Sequence, residues 1–182
     1  ETTAEIGDNN MIRENVTISR GTASKGTTIV GSNNLLMENS HIGHDSVVGS
    51  GCIIGNSTKI AGEVTIHDYA ILSACVLVHQ FSNIGSYVMI QGGSRLNKDI
   101  PPYIIVGREP ARYSGLNIIG LRRRGFSNET INNIHNAYRI LYSGKENVSD
   151  AVKRIKEEIP QCPEVENIIN FIENVSERGI IG

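Results

Sequence analysis

The segment Asn39-Ser40-His41-Ile42-Gly43-His44-Asp45 holds two of the five histidines of the chain, and a carboxylate directly follows the second. A neutral imidazole, with an unperturbed pKa of about 6.5, can take a proton from a hydroxyl near neutral pH, and an adjacent carboxylate can orient it. On the 18-residue stacking interval that the surrounding repeat imposes, His44 shares a column with Gly62 and Gln80, and Asp45 shares one with Glu63 and Phe81. A glycine one coil above the imidazole presents a backbone N–H with no side chain in front of it, which suits the oxyanion of an acyl-transfer intermediate. A base and an oxyanion donor can together move an acyl group to a hydroxyl or amine, without a nucleophilic serine or cysteine. The competing reading is that His41 and His44 are ordinary surface residues of a repeat scaffold.

The elements that must position this column are visible in the spacing. Every sixth residue from Ile6 to Leu96 is aliphatic except Ser24, the signature of a parallel β-helix. Four residues after most of these anchors comes a small or β-branched residue, among them Val16, Thr22, Ser40, Ser46, Cys52, Thr58, Val64 and Ala70, so each hexapeptide offers one large and one small inward position. Three hexapeptides per coil would place residues 18 apart above one another at about 4.8 Å. A helical i, i+3, i+4, i+7 pattern is not sustained here. The polar stretch from Arg20 to Thr28 interrupts the repeat and reads as an extruded loop, either functional or merely tolerated.

After Pro101-Pro102 the period dissolves, and from Ser127 onward the apolar spacing is helical. Ser127 and Ser149 are candidate N-caps, Pro163 suits a first helical turn, and Pro160 ends the second helix. The expected organisation is a β-helix over residues 1–110, a connector over 111–126 and an α-helical domain over 127–182. Because the chain reaches a hexapeptide within five residues of Glu1, further N-terminal coils or a cap over the open sheet edges are expected.

Composition narrows the function classes. A net charge of −2 over 182 residues gives no bias toward nucleic acid. No apolar run is long enough to span a bilayer and no signal-peptide pattern opens the chain, so a cytoplasmic protein is expected. The three cysteines, Cys52, Cys75 and Cys162, lack metal-type spacing and read as reduced thiols. A zinc site built from His41, His44, His67 and His79 is disfavoured, because the spacing of His41 and His44 does not match the paired-histidine motif of the γ-class carbonic anhydrases.

An ordered set of strings resembles one family closely. These are Ile12-Arg13-Glu14-Asn15-Val16-Thr17-Ile18, Gly31-Ser32-Asn33-Asn34-Leu35-Leu36-Met37, His41-Ile42-Gly43-His44-Asp45, Val78-His79-Gln80-Phe81, Asp99-Ile100-Pro101-Pro102-Tyr103 and Gly120-Leu121-Arg122-Arg123-Arg124-Gly125-Phe126. The family is that of the UDP-N-acetylglucosamine acyltransferases. The resemblance implies a left-handed parallel β-helix and a homotrimer with active sites in the clefts between subunits. It implies transfer of a 3-hydroxyacyl chain from acyl carrier protein to the 3-hydroxyl of UDP-N-acetylglucosamine, the first step of lipid A synthesis, with no metal or soluble cofactor. By the same resemblance His44 matches the general base, Asp45 its orienting partner and Gly62 the oxyanion donor. Substrate contacts fall on His41, His79, Gln80, Asn117, Arg123 and Arg124, and Gly92 falls at the position that limits acyl-chain length. Glu63 and Ile119 depart from the family pattern, and two glucosamine-binding residues of the family belong to coils N-terminal to Glu1. The alternatives are the N-acyltransferase that acts on the acylated glucosamine in the same pathway, which the Gly120-to-Phe126 string disfavours, and a non-catalytic β-helix scaffold.

Overall fold

A computed structural model describes residues 1–144 and 146–182. Strands of mostly two residues recur every six, as in His41–Ile42, Val47–Val48 and Ile53–Ile54. As far as the strand Leu77–Val78 each strand pairs with the third strand after it, and the described residues form sheets of five, seven and five strands. The sequence-derived interval holds through the middle of the coil: His41 pairs with Lys59 and Lys59 with Leu77, both 18 positions on. The fold is the expected parallel β-helix followed by a helical region.

The interval changes at both ends, for different reasons. In the first coil Thr3 pairs with Thr27, Met11 with Leu35 and Thr17 with His41, a step of 24, so six extra residues leave the wall between Ile18 and Thr27. Thr22, expected to point inward, is therefore exposed; Thr28 and Asn34 fill the small inward slots instead. At the other end Ile84 bridges Ile100 and Met89 pairs with Ile105, a step of 16. The wall thus continues past Pro101-Pro102 through the strand Ile104–Gly107, against which Arg112–Leu116 turns back antiparallel.

The core follows the large-small pattern. The anchors from Val30 to Leu96 are buried, whereas Ile6 and Ile12 in the first coil are about half exposed, at 49% and 46%. In two of the small slots the hydroxyl is satisfied by the neighbouring coil, whereas the buried Ser40 and Ser82 hydroxyls have no partner among the described residues. Ser46 Oγ donates to the Ala61 carbonyl at 3.0 Å and accepts from the Val64 amide at 3.1 Å; Thr58 makes the same pair with Ser73 and Val76.

Among the described residues four helices follow: α1 (Ile118–Arg123), α2 (Asn128–Leu141), α3 (Val148–Glu158) and α4 (Pro163–Asn170), the last running into a π-helical turn, Phe171–Val175. The short helix α1 was not expected from the spacing. Ser127 caps α2 as expected, accepting from the Thr130 amide at 3.0 Å. Ser149 does not cap α3; Asn147, two residues earlier, accepts from the Asp150 amide at 2.9 Å, which leaves Ser149 inside the first turn. The helices are fastened to the coil end by polar ties. Tyr138 donates to the Pro102 carbonyl at 2.6 Å, and buried Asp99 accepts from the Asn83 amide, the Ser176 hydroxyl and the amides of Glu177 and Arg178 at 2.7 to 2.9 Å.

Candidate active site

His44 and Asp45 form the corner between the strands His41–Ile42 and Val47–Val48. Asp45 is buried and takes a φ of 60°, the left-handed region that a short polar side chain tolerates. Burial alone would raise its pKa, but hydrogen bonds from the Thr22 hydroxyl, His44, and the amides of Thr22 and Lys25 outweigh it and hold the carboxyl below the usual carboxylate range. An ionised carboxylate only accepts. The 2.8 Å contact between His44 Nδ1 and Asp45 Oδ2 therefore puts the proton on Nδ1 and leaves a lone pair on Nε2.

That lone pair lies beside Gly62. A Cβ added at Gly62 would sit 2.5 Å from Nε2 and 2.6 Å from Cε1, so only glycine leaves room for the imidazole in this position. The coils are held in register here by the Glu63 amide donating to the His44 carbonyl at 2.8 Å and the Phe81 amide to the Gly62 carbonyl at 3.3 Å. Among the described residues the Gly62 N–H has no acceptor. The same is true of the His44 and Gln80 amides in this column, but only at Gly62 is the amide uncovered by a side chain of its own.

The neighbouring candidates surround this corner. His41 lies outward on the adjoining sheet with Nδ1 2.7 Å from the Thr17 hydroxyl; burial first, and then the Lys59 charge, lower its pKa. His79 donates from Nδ1 to the Gln80 carbonyl at 3.0 Å and lines a cavity of about 380 Å³ with Leu77, Arg95, Leu96, Glu109 and Pro110. Glu63, directly above Asp45, lies 3.8 Å from Lys25 Nζ.

The remaining candidates lie elsewhere on the prism. Asn117 is buried and its amide is engaged, accepting from the Gly120 amide at 3.2 Å and donating to the Tyr87 carbonyl at 3.0 Å, so it caps α1. Arg123 ends α1 and is exposed, as is Ile119 on the same helix. Arg124 places its guanidinium 4.4 Å over the Tyr69 ring, beside a second cavity of about 380 Å³ lined by Asn33, Ser50, Gly51 and Ile53. That is the corner after the Val47–Val48 strand, not the one that holds His44. Gly92 lies exposed at the third corner, where an added Cβ would be 3.1 Å from the Ala74 carbonyl oxygen.

Two features escaped the sequence reading. One is the pair Thr22 and Lys25, which the insertion brings onto Asp45 and Glu63. The other is an aliphatic ladder on the outer face of the seven-stranded sheet: Met11, Leu35, Ile53, Ile71, Met89 and Ile105 stack in register. Its signal was present, since the residue before every third anchor is apolar. The zinc reading gains nothing: among the described residues no group of three or more His, Cys, Asp or Glu could hold a metal ion. Burial pushes the Cys52 thiol up to about 11, which leaves it a packing residue. No helix among the described residues is long and apolar enough to cross a membrane.

Known proteins with the same features are close. Residues 99–181 match the second domain of the UDP-N-acetylglucosamine O-acyltransferases, and residues 27–62 match the bacterial transferase hexapeptide repeats. The acyl-[acyl-carrier-protein]–UDP-N-acetylglucosamine O-acyltransferase of Pseudomonas entomophila (strain L48) is 46% identical over 176 residues, which cover 96% of this chain and 68% of that protein. The crystal structure of a UDP-N-acetylglucosamine acyltransferase from Bacteroides fragilis 9343 is 68% identical with a TM-score of 0.98, covering 100% of this chain and 71% of that one. The corresponding Francisella novicida enzyme structure is 41% identical with a TM-score of 0.94, over 98% of this chain and 65% of that one. At these identities and over this length, the chain belongs to the UDP-N-acetylglucosamine O-acyltransferase family and is an acyltransferase.

Proposed function

We propose that this enzyme transfers a 3-hydroxyacyl chain from acyl carrier protein to the 3-hydroxyl of UDP-N-acetylglucosamine, the entry step of lipid A synthesis, in the cytoplasm. The observation that carries the reading is the 2.8 Å contact between His44 Nδ1 and the Asp45 carboxylate. With Asp45 holding Nδ1–H, Nε2 takes the proton from the sugar hydroxyl as its oxygen attacks the thioester carbonyl. The tetrahedral oxyanion is met by the uncovered Gly62 amide. Collapse breaks the carbon–sulfur bond, and the imidazolium returns its proton to the departing thiolate. Asp45, kept anionic, steadies the imidazolium between the two transfers. The step as written needs neither metal nor soluble cofactor; the carrier protein is the donor.

The placement of the basic residues supports a homotrimer. Arg123 and Arg124, suited to a nucleotide diphosphate by their forked charged donors, stand at a different corner from His44, so a site that uses both needs a second copy of the chain. The aliphatic ladder from Met11 to Ile105 is the face on which copies would pack. On this reading Asn117 serves by starting the helix that carries the arginines, while His41, His79 and Gln80 border the sugar and acyl chain.

The enzyme is tested with 3-hydroxyacyl carrier protein against two acceptors, UDP-N-acetylglucosamine and UDP-3-acyl-glucosamine. Product only from the first is expected; product only from the second would support the N-acyltransferase, and product from neither would refute both acceptors. Loss of turnover in His44→Ala is expected, and full activity there would end the base assignment. Ile71→Glu, at the centre of the ladder, is expected to lower the sedimenting mass from trimer to monomer.

A further inference from the structure

We infer that Thr22, carried by the six-residue insertion, is a positioning residue that locks the Asp45 carboxylate from outside the coil wall. The Thr22 amide donates to Oδ1 at 2.8 Å and its hydroxyl donates to Oδ2 at 2.6 Å. The second of these oxygens is the one that accepts from His44 Nδ1. The Asp45 main chain is fixed as well, because its amide donates to Thr28 Oγ1 at 2.8 Å. One residue of the insertion and one of the strand that follows it therefore grip Asp45, by its side chain and by its backbone. The other parallel coil steps, at 18 or 16 positions, manage without such an insertion.

The hydroxyl has its orientation imposed by the loop itself. The Ser24 amide donates to Thr22 Oγ1 at 3.2 Å, so the Thr22 hydroxyl proton is turned toward Asp45. The Gly26 amide closes the turn onto the Thr22 carbonyl at 2.8 Å, and the Gly21 amide ties its start to the Thr3 carbonyl at 2.8 Å. Gly21 is buried against the Gly26 and Thr27 backbone with no space for a Cβ, so the loop can fold this closely only with glycine there. Lys25 reaches one coil further to Glu63 and balances the carboxylate stacked above Asp45. With both oxygens held by the loop, the carboxylate cannot swivel, and the imidazole plane is set by a fixed acceptor instead of a free one.

The role rests on His44 being the base, so the test separates the two ideas. Thr22→Val keeps the shape and the amide but removes the hydroxyl; Thr22→Ala removes it by a second route; Thr22→Ser restores it. For the first two, kcat is expected to fall about tenfold with KM for both substrates unchanged, the scale of one hydrogen bond to a charged group. Thr22→Ser is expected to stay within about twofold of the parent. In an Asp45→Asn background Thr22→Val should add little, because the two act through one carboxylate. Full kcat in Thr22→Val and Thr22→Ala, or an equal loss in Thr22→Ser, overturns the inference. Inactive His44→Ala beside unaffected Thr22→Val removes only the inference, whereas active His44→Ala removes the base reading with it.

Discussion

Replacing Gly62 with alanine separates the two functions assigned to that corner. The substitution keeps the backbone N–H, and Gly62 does not occupy the left-handed region, so the main chain accepts the methyl without strain. What the methyl meets is the imidazole: it would lie 2.5 Å from Nε2, where unbonded heavy atoms rest at about 3.5 Å. The ring must therefore yield by about 1 Å. His44 can do so because its side chain is partly exposed, but the 2.8 Å bond to Asp45 is then stretched or lost. A misplacement of about 1 Å at a reacting group costs roughly a hundredfold in rate. Steady-state kinetics should thus show kcat about a hundredfold lower with KM little changed. The thermal midpoint should stay within about 2 °C, because what is displaced is the ring of a partly exposed side chain and not the backbone. In a His44→Ala background the methyl meets no ring and should add no further loss. A parental kcat in Gly62→Ala, or the same loss with and without His44, would refute the placement of the base over this glycine.

Asp45 should remain ionised where other aspartates titrate: a carboxyl carbon resonance unchanged at pH 4, near the ordinary value of about 3.9, is expected. Because its folded pKa is depressed, its charge contributes stability that is complete above that ordinary value and lost only as pH falls through the lower folded one. Asp99→Asn should lower stability by about 3 kcal/mol in urea titrations, since one buried oxygen accepts from Ser176, Glu177 and Arg178 together. Gly92→Met should cut kcat/KM for the longest acyl donors by about tenfold or more while sparing short ones; equal use of the longest donor would remove Gly92 from the chain-length role.

The coil wall was legible because inward burial is periodic: once Ile42, Ile60 and Val78 are recognised as one ladder, His44, Gly62 and Gln80 follow by addition. The same arithmetic failed at Thr22, whose spacing fits an inward slot although its segment has left the wall. Burial could have flagged this, since Ser24 offers no anchor two residues on, and the aliphatic series resumes only at Val30. Ser149 misled in a related way. Ser149 and Asn147 are both competent caps, and the choice depends on where helix α3 meets the chain before it, which residue type alone does not encode.

The insertion shows why part of the site lies beyond pattern. A repeat relates residues by fixed intervals, and His44, Asp45 and Gly62 occupy such intervals, so the scaffold aligns them without further help. Fixing a carboxylate takes donors on the side away from the imidazole, and the free amides of this column, at His44, Gly62 and Gln80, do not donate to Asp45. The donors must come from residues outside the repeat. Six extra residues supply them as an amide, a hydroxyl with its proton turned, and a lysine to balance the next acid. The break in the period is thus where the site adds what the repeat cannot provide. A shortened loop that kept the wall intact should fold as before and still lose turnover, which circular dichroism and single-turnover rates on the same sample would decide.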